Sequence, residues 1–308
     1  MKILVTGGAG FVGSHLVDKL VKEGHSIVVI DNLSTGKREN LNSKAKFYKI
    51  DICDSKISQI FKKEKPKIVF HYAAQIDARK SVEEPLSDAK VNIIGSLNVL
   101  ENCKKYGVKK IIFASSGGEI YGEANEIPTP ETYVPSPISP YGVGKLAVEG
   151  YLKSYFKMFK IPFTSLRYGN VYGPRQNPYG EAGVVAIFTS KMLKNEQPVI
   201  HGTGKQTKDY IFIEDAVEAT MLSFKRGFSG ILNIGTGKET SVLEIFYKLK
   251  ELINSRVKEK HAPLPLCSFE RGCLSIEKAK RELGWQPKYS LENGLRKTIK
   301  YFKAKYLL

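Results

Sequence analysis

A chain of 308 residues is long enough for one large α/β domain or two modest ones and buries a sizeable core, so it needs no disulfide or structural metal to fold. Hydrophobic residues at 42% and aromatic residues at 10% exclude an intrinsically disordered chain. The 48 Lys and Arg residues against 31 Asp and Glu leave +17, carried mostly by scattered lysines, which reads as a solvated basic surface in preference to a nucleic-acid footprint.

Short apolar, β-branched runs at residues 3–6, 26–30, 46–50, 67–71, 111–114 and 163–167 alternate with amphipathic segments. That pattern predicts parallel strands buried on both faces with helices as crossovers, a doubly wound Rossmann α/β sheet. Gly24 and Gly107 stand where helices should stop. Residues 1–170 are expected to form the dinucleotide-binding unit and 171–308 a smaller mixed α/β substrate unit. A segment near 205–240, through the buried-strand pattern at 231–234, is placed to return to the first sheet.

The four cysteines show no C-x-x-C pair and no histidine at ligand spacing, so no metal site is expected and a reducing cytoplasm is the expected compartment. The apolar opening is too short for a signal-peptide core, and no stretch reaches the ~18 apolar residues of a membrane span.

The first strand runs into Thr6-Gly7-Gly8-Ala9-Gly10-Phe11-Val12-Gly13. Glycines there allow a tight turn and close approach of a pyrophosphate, and the following helix N-terminus supplies positive potential. Gly7, Gly10, Phe11, Val12 and Gly13 are therefore candidates to hold a dinucleotide. Asp31 ends the second strand, where a carboxylate accepts ribose hydroxyls and repels a 2′-phosphate, favouring NAD over NADP. Asp51 with Ile52 after the third strand, and Ala73 with Ala74 after the fourth, fall at the carboxyl edge of the sheet, where open α/β folds bind ligands.

Tyr141 and Lys145, four residues apart, share one face of a predicted helix. A tyrosine ordinarily titrates near ~10, and bringing it to about 7 takes ~4 kcal/mol of preferential stabilisation of the phenolate. A neighbouring ammonium and a cationic nicotinamide ring can supply that together.

These motifs, with His71-Tyr72-Ala73-Ala74-Gln75, Ser115-Ser116-Gly117-Gly118-Glu119-Ile120-Tyr121-Gly122, residues 167–176, residues 202–210 and Leu283-Gly284-Trp285, resemble the extended short-chain dehydrogenases/reductases of the NAD-dependent epimerase/dehydratase family, and within it the UDP-glucose (UDP-galactose) 4-epimerases. The resemblance spans nearly the whole chain. It implies epimerisation at C4 of a UDP-hexose through a 4-keto intermediate, with Tyr141 as the proton acceptor, Lys145 holding the cofactor ribose, and N-acetyl sugars as further candidate substrates. It also implies NAD contacts from Asn32, Tyr72, Asn92, Ser115 and Tyr168, and substrate contacts from Asn170, Gly183 and Lys208. A homodimer built on the helices around 92–102 and 141–159 is implied as well.

Departures from the family pattern leave roles open. Gly117 occupies the place of the usual Ser or Thr near the sugar O4, so Ser116 is either its stand-in or a plain strand-end hydroxyl. Lys208 replaces an arginine on the diphosphate, or is one more solvated lysine. Arg271 is the candidate for the second phosphate contact. Gly272 and Cys273 fall near a size gate, which leads to the expectation of room for a 2-acetamido group. Glu119 sits where related decarboxylases and 4,6-dehydratases carry a glutamate, but Gly118 replaces the dehydratase aspartate. A decarboxylase or dehydratase is the second reading, and a non-catalytic NAD-binding or nucleic-acid-binding protein the third.

Overall fold

The computed structural model describes residues 1–179 and 183–306. Six strands, β1 (Lys2–Thr6), β2 (Ser26–Asp31), β3 (Lys46–Lys49), β4 (Ile68–His71), β5 (Lys110–Ser116) and β6 (Phe163–Tyr168), lie parallel in the order β6-β5-β4-β1-β2-β3. Strand order reverses between β1 and β4, which opens the ligand crevice of a doubly wound sheet above Thr6 and its register partner His71. The Rossmann sheet expected from the alternating runs is present.

Residue parity splits the core. Ile3, Val5, Ile27, Val29, Phe70 and Ile112 pack on one face, and Leu4, Val28, Ile30, Val69, Ile111 and Phe113 on the other. Both sets are buried, which is why these strands read as continuous apolar runs. Helix α1 (Phe11–Lys22) covers the first face, and α2 (Ile57–Glu64) the second. Beyond β4 come α3 (Ala78–Glu83), α4 (Pro85–Ala89), a π-helical turn at Lys90–Gly95, and α5 (Ser96–Lys105). Helix α6 (Gly117–Tyr121) follows β5 directly, and α7 (Pro140–Phe159) precedes β6.

The remaining strands are β7 (Asn170–Tyr172), β8 (Ile200–His201), β9 (Thr207–Lys208), β10 (Tyr210–Phe212), β11 (Gly230–Ile234), β12 (Thr240–Ser241) and β13 (His261–Ala262). β11 pairs in parallel with β6 and becomes the seventh strand of the main sheet. Helix α8 (Val184–Leu193) is followed by α9 (Ile213–Lys225), which packs on α1, so the stretch 210–234 lies with the nucleotide-binding sheet. The other pairs, β7 with β10, β8 with β13 and β9 with β12, are short, and α8 packs against α10 (Val242–Ile253) beside them. These short strands and the packed helix pair lie outside the seven-stranded sheet.

Candidate active site

The glycine turn folds as its composition demands. Gly7 adopts φ +70°, and a Cβ on Gly13 would come within 2.2 Å of the Gly7 carbonyl oxygen. No side chain fits there, so the first turn of α1 approaches β1 closely and leaves its N-terminal amides open to an anion. Asp31, 7% exposed, accepts hydrogen bonds from the backbone N–H of Ala9 (3.0 Å) and Leu33 (2.8 Å). Two oxygens holding one bond each retain lone pairs for vicinal hydroxyls. The exposed Asn32 donates to Asp51 (2.7 Å), whose other oxygen accepts from the Cys53 N–H. The cradle, the carboxylate at the end of β2 and the open amides together fit a dinucleotide such as NAD. Changing Asp31 to Asn should weaken NAD binding about tenfold and narrow the preference over NADP, the loss of one charge-assisted pair being roughly 1.5 kcal/mol. Titration of the NAD-free protein with both cofactors measures it, and equal affinity of variant and parent would remove Asp31 from the ribose.

Helix α7 begins where Ser139-Pro140 directs it. Ser139 caps the helix by accepting from the Gly142 N–H at 3.1 Å, and proline occupies the first turn. The Ser139 hydroxyl also donates to Glu119 (2.7 Å), and Gly142 lets α7 close on α6, because a Cβ there would lie 2.3 Å from the Glu119 carbonyl. The Tyr141 N–H donates to Ser81 on α3. One turn along, Lys145 is 5% exposed, its ammonium donating to the Ala114 carbonyl (2.8 Å) and lying 5.6 Å from the Tyr141 ring centroid. Burial pushes that ammonium down to about 8, while the carboxylates of Asp88 and Glu149 oppose the shift. The pair forecast from its spacing is thus a real pair on the sheet's carboxyl edge.

Glu149, a further turn along α7, is a buried hub that sequence reasoning missed. It accepts from both Arg167 Nε (3.0 Å) and Nη2 (2.6 Å), and from the hydroxyls of Ser115 (2.9 Å) and Ser165 (2.8 Å). Its i+4 spacing from Lys145 was a usable signal. The Ser115 hydroxyl, expected on the cofactor, is committed to this hub. The hydroxyls of Tyr72 and Tyr168, also expected there, bond each other (2.6 Å) and Thr220. His71 is a packed core residue bonded by Thr6 and Ser96 on its two ring nitrogens, with burial pushing it down to about 3.

Ser116 caps α6 in extended backbone without a side-chain cap bond. A Cβ on Gly117 would lie 2.6 Å from both Leu274 methyls, so the place of the absent hydroxyl is filled by that leucine. Phe269 fills the space beside Gly118 and Gly272 in the same way. The glycine at 272 therefore accommodates this ring, and the expected room for an acetamido group does not follow from it. Asp209 anchors the segment, accepting from the N–H of Leu274, Gly237 and Thr236 and from the Thr236 hydroxyl.

Lys208 is not a solvated lysine. It donates to the Phe269 carbonyl (2.9 Å), and burial pushes it down to about 7 against the field of Glu119. Arg271 is largely exposed, its fork engaged by both oxygens of Glu239 (3.0 and 2.6 Å), so a phosphate would have to displace that carboxylate. Asn170 has an exposed side chain at the start of β7, and Gly183 caps α8 against Gln176. Gly180, Glu181 and Ala182, which precede Gly183, lie outside the described residues. Among the described residues no cluster could hold a metal ion, and no helix is long and apolar enough to cross a membrane.

The model of the NAD dependent epimerase/dehydratase family matches residues 3–235. The chain belongs to that family. Among family members it is 44% identical to a putative UDP-glucose 4-epimerase of Methanocaldococcus jannaschii, each covered over 98% of its length. The UDP-glucose complex of the Thermotoga maritima UDP-glucose 4-epimerase superposes with TM-score 0.98 at 50% identity, over 99% of this chain and 100% of that one. The NAD complex of the Thermus thermophilus UDP-glucose 4-epimerase gives TM-score 0.95 at 41% identity, over 98% and 99%. UDP-glucuronic acid decarboxylases and dTDP-D-glucose 4,6-dehydratases of the family stand further off, at 32–37% identity.

Proposed function

We propose that this protein is an NAD-dependent 4-epimerase of UDP-hexoses, interconverting UDP-glucose and UDP-galactose. The observation that carries the reading is the buried Lys145 ammonium beside the Tyr141 ring, next to the glycine turn and Asp31, in a chain so similar to UDP-glucose 4-epimerases. Tyr141 takes the proton of the sugar 4-hydroxyl as phenolate, and the Lys145 ammonium stabilises that anion. NAD held by the glycine turn and Asp31 would supply a reversible two-electron acceptor for the C4 hydrogen, which is what passage through a 4-keto sugar and its reduction on the other face requires. Tyr141 then gives its proton back, and no net oxidation results. Lys208 faces the diphosphate as a point charge, and Asn170, Gly183 and the segment carrying Leu274 enclose the nucleotide sugar. Ser116 is the hydroxyl residue adjoining Gly117 in the chain.

Elimination or decarboxylation is supported less well, because the carboxylate it would use, Glu119, receives the Ser139 hydroxyl at the cap of α7. Incubating the protein with UDP-galactose and NAD should yield UDP-glucose, and UDP-N-acetylgalactosamine, UDP-glucuronate and dTDP-glucose belong in the same panel. Absence of epimer from every UDP-hexose, with a decarboxylated or dehydrated product from another sugar, would replace the reading.

The oligomer belongs to the same proposal. Ile94 on the π-helical turn and Val143, Tyr151 and Met158 along α7 expose apolar side chains on the two helices expected at a two-fold interface. An apolar patch of this kind suits a second copy. Light scattering should give twice the chain mass of 34.4 kDa, and a single-chain mass at about 50 µM would remove the dimer. A cytoplasmic location accords with Cys53, Cys103 and Cys273 standing as unbridged thiols.

A further inference from the structure

Asp88, on α4, is 2% exposed. Its Oδ1 accepts from Gln75 Nε2 (2.9 Å) and from Asn92 Nδ2 (2.8 Å), both neutral amides that leave its charge uncancelled. Its Oδ2 faces α7, where a Cβ on Gly144 would lie 3.5 Å away, and the next residue is Lys145. Lys145 is in the complementary position. Its ammonium has the Ala114 carbonyl of β5 and the rings of Phe113 and Tyr141 for partners, none of them a permanent anion.

Two other titratable groups beside Lys145 already have partners of their own. Glu149, on its own helix, is matched by the two-bond fork of Arg167 from β6. His71, from β4, is held neutral between two hydroxyls. A buried charge without a counter-charge is costly, and Asp88 and Lys145 are opposite buried charges on two helices that pack together.

We infer that Asp88 is the counter-ion of Lys145, a positioning residue that keeps the buried ammonium charged beside Tyr141. Burial depresses Lys145, and Asp88 leads the carboxylates that oppose it. Asp88 itself is pushed up by burial and restrained by its amide donors and by Lys145. Without the Asp88 charge the ammonium loses its proton at lower pH, and phenolate stabilisation goes with it. The inference rests on Tyr141 and Lys145 acting as proposed above.

The test is turnover of UDP-galactose from pH 6 to 10 by Asp88→Asn and Asp88→Glu, each normalised to folded, NAD-loaded protein. Asparagine keeps an acceptor for both amides and removes only the charge. Asp88→Asn should move the alkaline limb about one unit down, so that turnover well above the limb falls about tenfold, while Asp88→Glu leaves it in place. An Asp88→Asn profile that superimposes on the parent, or an Asp88→Glu limb displaced as far as the Asn one, overturns the inference. Should Asp88→Asn not fold, Asp88→Ser is read by the same criteria. An active Tyr141→Phe enzyme would instead sink the underlying site, independently of either Asp88 variant.

Discussion

Tyr141→Phe should lower epimerase turnover by at least about 10³-fold while leaving the fold and NAD binding intact. A positioned general base contributes typically ~10²–10⁴-fold, and in the proposed reaction one hydroxyl both removes and returns the O4 proton. The phenyl ring keeps its place over Lys145, so the thermal midpoint should shift by no more than a few degrees. Turnover with UDP-galactose, alongside NAD content and a melting curve, measures this. Retention of more than a tenth of the activity would move the base elsewhere. The parent enzyme should lose turnover on the alkaline side, because Lys145, pushed down to about 8 by burial, carries its proton below that pH and sheds it above.

Glu149→Gln should destabilise the protein by about 3–5 kcal/mol, the cost typical of leaving one member of a buried ion pair unmatched. Arg167 is 2% exposed and would keep its charge in the interior, packed over the Tyr121 ring at 4.8 Å. Glutamine's one carbonyl oxygen can keep Ser115, Ser165 and Arg167 Nε, which all bond the same carboxylate oxygen now, but its NH2 then stands against Arg167 Nη2. At roughly 2–4 °C per kcal/mol for a larger domain, the melting point should fall by on the order of 10 °C. The double change Glu149→Leu with Arg167→Leu should recover a good part of the loss, since an apolar pair replaces a desolvated one. A shift below about 2 °C for Glu149→Gln would show that the pair is not an anchor between α7 and the sheet.

These predictions differ in where they were visible. Tyr141 with Lys145, the glycine turn with Asp31, and the parallel strands were readable along the chain. Each rests on a local rule: helical spacing brings i and i+4 together, glycine allows what a Cβ forbids at Gly13, and strands buried on both faces read as unbroken apolar runs. The roles of Asp88, Glu149 and Leu274 were not readable, although all three residues stand in plain view. Periodicity tells which face a residue occupies and is silent about what arrives from another element to meet it.

Asp88 comes to bear on Lys145 through charge because α4 and α7 pack together, and Glu149 meets Arg167 because α7 lies on β6. Leu274 reaches Gly117 from 157 positions away, since the segment is strapped by Asp209 and Thr129 over the end of β5. Arg271 faces Glu239 for the same kind of reason, a pairing that no spacing announces. The sequence alone determined the local pieces of the candidate site, a glycine turn after the first strand and a tyrosine and a lysine one turn apart on one helix. Only the tertiary structure decided which buried charges answer one another, because electrostatic partners are chosen by distance through space and by exclusion of water.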